Sequence, residues 1–196
     1  MSSDVSLPTV HALTPAERRD LLWLARQSIR AALHAEAPPT CSTPTPALNE
    51  PTAAFVSLHQ QRRLRGCIGT LAADRPLHET VVHMARSAAF EDPRFAPLIE
   101  AELPAIDIEI SRLSPLVPVS PEDVCPGVHG VCLRYGDQRG VLLPQVALMY
   151  NWDRETLLAE LCRKAMLPPD AWKLPEAALT VFVAEVFGEA VGETKT

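Results

Sequence analysis

No run in this chain approaches the ~18–20 consecutive apolar residues that a membrane-spanning helix needs, so no membrane association is expected. Residues Met1 to Asp20 lack a basic stretch followed by an apolar one and do not read as a secretory signal. A surplus of positive charge is also missing: 18 Lys and Arg stand against 24 Asp and Glu, a net charge of −6. That excludes a broad basic surface for duplex DNA and leaves room for a small anionic ligand at a local basic spot. The five cysteines are an odd number at irregular spacing and suggest no disulfide framework. Together these absences point to a reduced, cytoplasmic protein. There is no glycine-rich phosphate loop of the dinucleotide or Walker type and no nucleophile elbow, and no cofactor is expected. Cys125, His129 and Cys132 lie close enough in sequence to raise a metal site. On an extended strand, however, His129 and Cys132 fall on opposite faces, and structural zinc wants a fourth ligand that is not evident, so no metal is expected.

What the chain has in excess is proline: 19 in 196 residues, about twice the usual share. The prolines sit between elements and punctuate them. Thr14-Pro15-Ala16-Glu17 starts a helix with a capping box, and Leu22, Ala25, Ile29 and Leu33 form its apolar stripe. Residues 37–51 carry five prolines and little periodicity, which predicts a meandering loop with Cys41 as an incidental surface thiol. Ala53 to His59, the polar turn at Gln60 to Arg63 and the strand that follows form a hairpin. Asp74-Arg75-Pro76 opens a helix with Leu77, Val81, Met84 and Ala88 inward, ending near Phe90 because Pro93 disfavours helix before it. Ile106 to Leu113 alternates as a half-buried strand. A second hairpin spans Val128 to Pro144, Asp153 caps a helix burying Leu157, Leu158, Leu161, Cys162 and Ala165, and Leu179 to Phe187 is the last strand. Hairpins outnumber crossovers, so the expected class is α+β with a mainly antiparallel sheet flanked by helices. The two halves echo each other as hairpin–helix–strand, although no sequence repeat is visible. Residues 13–188 are read as one domain, with flexible ends at 1–12 and 189–196.

The most informative stretch is Leu64 to Thr70, Leu-Arg-Gly-Cys-Ile-Gly-Thr. On an extended strand Arg65 and Cys67 point the same way. A guanidinium at short range favours the thiolate of a cysteine. Gly66 and Gly69 permit close approach of a ligand or another strand. Cys67 is therefore read either as a buried, inert thiol or as a nucleophilic, redox or ligand-contacting one. Arg65 either grips a carboxylate or phosphate of a substrate or pairs with Glu109 or Glu185. Glu185 interrupts the apolar parity of the last strand, which makes it an edge residue or an inward carboxylate. His129, between Val128 and Gly130, is the best candidate base, and a Cys67–His129 pair would be a minimal nucleophile–base arrangement. Asp92-Pro93-Arg94 reads as a turn holding itself together with a local ion pair.

Several blocks in order resemble the AMMECR domain family, also called protein A of the AmmeMemoRadiSam gene set. They are LRGCIGT at Leu64 to Thr70, AAFEDPRFAPL at Ala88 to Leu98, IEISRLSP at Ile108 to Pro115, GVLLPQV at Gly140 to Val146, Asn151-Trp152-Asp153, and LCRKAMLPP at Leu161 to Pro169. The resemblance implies an α+β fold with a curled, barrel-like antiparallel sheet built from two related β–α units. It implies Memo-like and radical SAM proteins as partners, but no established reaction. It also implies a functional site at Arg65, Gly66, Cys67 and Gly69. With Thr70 from the same motif, Glu109, Glu185 and Gln145 complete the expected substrate-binding set, and Cys67 and His129 the catalytic pair. Met166 departs from the resemblance, standing where relatives usually have glycine. The expected activity is that of an enzyme or enzyme component acting on a small polar or anionic substrate; the alternative is a non-catalytic binding, adaptor or regulatory module using the same pocket.

Overall fold

A computed structural model of the chain describes residues 12–189. Of the ends expected to be flexible, 1–12 and 189–196, residues 1–11 and 190–196 lie outside the described residues, while Glu189 is held by Arg26 at 2.5 Å and by its N–H to Ile108 O at 3.0 Å. In chain order the elements are α1 (Pro15–Leu33), α2 (Pro46–Asn49), β1 (Ala54–Gln60), β2 (Arg63–Thr70), α3 (Leu77–Phe90), β3 (Ile106–Leu113), β4 (Val117–Pro118), β5 (Gly130–Tyr135), β6 (Gln138–Leu142), α4 (Pro144–Tyr150), α5 (Arg154–Lys164), β7 (Ala178–Phe182) and β8 (Ala184–Gly188). A 3-10 segment, Glu100–Ala105, precedes β3. The described residues gather into two units, a first of 12–113 with 185–189 and a second of 114–184. No helix among them is long and apolar enough to cross a membrane.

The first unit has the sheet order β2-β1-β3-β8. α1 opens with the expected capping box between Thr14 and Glu17. Its buried stripe runs through Leu21, Ala25, Ser28 and Ile29, whereas Leu22 and Leu33 lie at the margin. The β1–β2 hairpin turns on Gln61 and Arg62, both at positive φ (51° and 63°), the pattern of a type I′ turn that matches strand twist. α3 buries Leu77, Val81, Met84 and Ala88 as expected. One face of the sheet (Ala54, Val56, Leu58, Ile106, Ile108, Ile110) joins α1 and α3 in the core. The expected loop at 37–51 contains α2, capped by Thr45 and anchored by buried Leu48; a four-residue helix is too short to show a period.

The second unit has the order β4-β7-β5-β6 with α5 packed on β5 and β6. Asp153 caps α5 through Thr156 N–H, and Leu157, Leu158, Leu161 and Cys162 are inward. β4 and α4 escape the sequence reading because each is short, two and seven residues, and contains a proline.

The fold is α+β with antiparallel sheets, as expected; the curled, barrel-like sheet takes the form of two four-stranded sheets, neither of which closes. The single strand expected over Leu179 to Phe187 is also two strands. At Val183 the chain leaves the second sheet; its N–H donates to Ser114 Oγ at 3.0 Å and its carbonyl accepts the Ser114 N–H at 2.9 Å. The residues after it join the first sheet.

The two related units are real at the level of register. β1, β2, α3, β3 and β5, β6, α5, β7 follow one plan, with orders β2-β1-β3 and β6-β5-β7. Leu58 opposes Gly66 and Ile108; Leu133 opposes Gly140 and Leu179. In each, a helix carbonyl lies over the glycine. A Cβ on Gly66 would meet Ala88 O at 2.2 Å, and one on Gly140 would meet Leu161 O at 2.6 Å.

Candidate functional site

The motif strand β2 is an edge strand, and Cys67 lies on the face of the sheet turned away from α3. Cys67 opposes Ser57 on β1, and Ser57 opposes Glu109 on β3, so thiol, hydroxyl and carboxylate form one row across three strands. Ser57 Oγ donates to Cys67 Sγ at 3.3 Å. The thiol is half-buried. Glu109, half-buried, makes no hydrogen bond or ion pair among the described residues, and at ~4.8 Å per strand it stands ~10 Å from Cys67 along the row.

The backbone of Cys67 is held from outside the sheet. Its N–H donates to Asp92 Oδ2 at 2.8 Å, and its carbonyl accepts from Arg94 Nη2 at 3.3 Å. These two groups point off the free edge, where an unpaired ladder would invite another strand. Asp92 also accepts the Arg94 main-chain N–H at 3.1 Å and its guanidinium at 2.9 and 2.6 Å. The Arg94 guanidinium, followed by the two main-chain donors, holds the Asp92 carboxyl well below the usual carboxylate range against the cost of burial. The Asp92-Pro93-Arg94 turn therefore does more than hold itself together. It clamps the central residue of the motif.

Arg65 lies on the same strand face, as its parity requires, but its guanidinium forks onto Glu102 at 2.8 and 2.9 Å. The expected partners Glu109 and Glu185 are not the ones it meets. The fork from Arg65 lowers the Glu102 carboxyl. Both motif glycines are filled by protein: Gly66 by the α3 carbonyl, and Gly69 by the Phe55 ring, which a Cβ would meet at 2.2 Å. The close approach read at these positions is made by the fold's own atoms. Thr70 Oγ1 accepts the Ala72 N–H at 3.0 Å. Glu185 is an inward carboxylate, bound to Arg18 at 2.7 Å, Arg112 at 3.4 Å and the Leu13 N–H at 2.9 Å; the break at Val183 sets its parity.

Cys67 belongs to the first unit and His129 to the second. His129 ends a tight turn that Gly127 makes at φ +80°. Its Nδ1 accepts the Cys125 N–H at 3.1 Å, which assigns the neutral-ring proton to Nε2. Nε2 is buried with no hydrogen-bond partner among the described residues, and burial pushes the ring's pKa down. Gln145, the second residue of α4, likewise has a buried Oε1 without a partner.

Sequence reasoning missed Ser57 and Glu102 and gave Asp92 and Arg94 only a local role. Alternation along β1 is the signal that could have placed Ser57 on the Cys67 face; the EDPR block was visible, but not the strand it holds.

A family model described as AMMECR1 matches residues 22–187. The chain belongs to the AMMECR1 family. Among its relatives, a protein of Methanothermobacter thermautotrophicus is 43% identical over 69% of this chain and 74% of its own length. One from Methanopyrus kandleri is 39% identical over 90% of both. The crystal structure of uncharacterized protein PH0010 from Pyrococcus horikoshii superposes with a TM-score of 0.85 at 35% identity, covering 90% of this chain and 93% of that one. The family is thus shared in sequence and fold, and its named relatives carry no stated reaction.

Proposed function

We propose that this AMMECR1-family chain is an enzyme or enzyme component in which Cys67 is the reacting thiol toward a small polar or anionic substrate, working in the cytoplasm with Memo-like and radical SAM partners. The observation that carries this reading is the held geometry of Cys67: main chain fixed by Asp92 and Arg94, thiol hydrogen-bonded by Ser57, and sulfur half-buried. A reacting group gains from being held before the substrate arrives. Arg65 is engaged by Glu102 and Arg94 by Asp92, but the Arg94 side chain is 55% exposed and its Nη1 lies outside those bonds, so Arg94 can still meet an anionic substrate group. Glu109, with no hydrogen bond or ion pair among the described residues, stands on the same face.

The test is iodoacetamide labelling of the folded chain, with sites mapped by mass spectrometry. Cys67 is expected to alkylate without denaturation, ahead of buried Cys132 and Cys162. Labelling of Cys67 only after denaturation returns it to a packing role. A second reading, a binding or adaptor module, is favoured by one observation: no histidine or carboxylate hydrogen-bonds to Sγ among the described residues. The two readings separate on Cys67→Ser. A binding pocket tolerates serine, whereas a reacting thiol is lost in both the serine and alanine variants.

A further inference from the structure

We infer a second binding site in the first unit, on its helical side: a pocket for a small ligand that joins an apolar body to a carboxylate or phosphate. It is independent of Cys67. The proline-rich segment at Pro38 to Cys41 lines, with Ser28 of α1 and one side of α3, a half-open cavity of about 550 Å³, a size typical of sites for small organic molecules. Its floor hydroxyls are already used. Ser28 Oγ donates to Val82 O at 2.7 Å, and Ser87 Oγ donates to Glu91 Oε2 at 2.7 Å. What they leave for a ligand's body is the apolar surface of Val82 and the two proline rings.

The rim supplies the charge. Arg86 and half-buried His78 make no hydrogen bond or ion pair among the described residues. His78, Val82 and Arg86 recur every fourth residue, one stripe of α3 with ~6 Å between successive members. Arg75 and His83 add to the basic side; Arg75 is 3.5 Å from Asp74, and His83 Nδ1 lies 3.5 Å from Ser87 Oγ. Of the two rim carboxylates, Glu91 is engaged by Ser87 and Glu79 is the one opposing charge. An unpaired guanidinium fork at the mouth of an apolar cavity suits a carboxylate or phosphate taken at two points.

Cys41, in the wall, reports on occupancy. The probe is 1-anilinonaphthalene-8-sulfonate, an aromatic body with one anionic group, added to the full chain while maleimide labelling of each cysteine is mapped by mass spectrometry. The probe is expected to slow Cys41 severalfold and leave Cys67 and Cys125 unchanged. Arg86→Gln, on an exposed position, is expected to weaken the probe about tenfold with an unchanged melting temperature. Displacement by benzoate marks a carboxylate site and by phenyl phosphate a phosphate site. Displacement by neither, unchanged Cys41 labelling at saturating probe, protection of Cys125 in its place, or full affinity in Arg86→Gln overturns the inference. Cys67→Ala is expected to bind the probe as the unaltered chain does, so failure at Cys67 and failure here are told apart.

Discussion

Replacing Asp92 separates the clamp on the motif strand from ordinary surface pairing. The Asp92 side chain is 2% exposed and accepts four hydrogen bonds, one from Cys67 and three from Arg94. The Arg94 side chain is 55% exposed, so its guanidinium rehydrates when the carboxylate goes, and that pairing contributes at most about 1 kcal/mol. The bond to the Cys67 N–H is charge-assisted and sheltered, worth roughly 1.5–3 kcal/mol. The expected loss for Asp92→Ala is therefore about 2–3 kcal/mol, most of it from Cys67. Asp92→Asn is expected to cost nearly as much, because one half of the amide is a donor facing donors.

The pH dependence gives this its sign. A carboxyl held below its ordinary value in the folded chain contributes stability that is fully present above the unfolded value, near 3.9, and is lost as pH falls through the folded value. Urea midpoints of the unaltered chain and Asp92→Asn are expected to differ by a constant amount from pH 7 to about pH 4 and to converge below it. An Asp92→Asn chain as stable as the unaltered one at pH 7 would refute the clamp. So would a difference that grows on acidification.

Met166 follows α5 at φ +60° and is 85% exposed, in a Schellman turn closed by Met166 N–H to Arg163 O and Leu167 N–H to Cys162 O. Met166→Gly is expected to stabilise the chain by about 1 kcal/mol, read as a higher urea midpoint by tryptophan fluorescence; Met166→Ala, which keeps the Cβ, gains nothing. Gly66→Ala is expected to cost about 3 kcal/mol, because the Cβ meets the main-chain oxygen of Ala88, which moves only with α3. Thermal melts comparing it with Gly136→Ala, where nothing lies within 4 Å but φ is +57°, check that the larger cost is steric.

Local chemistry was legible wherever a pattern repeats within a few residues. The Thr14–Glu17 box, the period of α3, the alternation of β3 and the Asp153 cap are all of this kind. Parity also placed Arg65 and Cys67 on one face. Parity fixes a face but not a partner, and Glu102 reaches Arg65 from a 3-10 segment 37 residues away. A glycine's empty Cβ position likewise reads the same whether a ligand or a helix carbonyl fills it. The break at Val183 depends on Ser114, 69 residues earlier, which no local pattern reports.

The internal duplication, invisible in the residues, bears most directly on Cys67. Aligning the two units by register puts Val56 with Val131, Ile68 with Leu142, Ile110 with Val181 and Gly66 with Gly140, so the core-facing positions agree in kind. The opposite row does not agree. Where the first unit has Cys67, Ser57 and Glu109, the second has Val141, Cys132 and Thr180. One plan thus folds with valine at the place of the motif cysteine, and packing of the β–α unit does not by itself call for a thiol there. Cys67→Val is accordingly expected to keep the melting temperature within a few degrees of the unaltered chain, a change of about 1 kcal/mol or less, while abolishing alkylation at this position. A Cys67→Val chain that unfolds would mean that the cysteine is held for packing, and the reading of the row as a site would lose its footing.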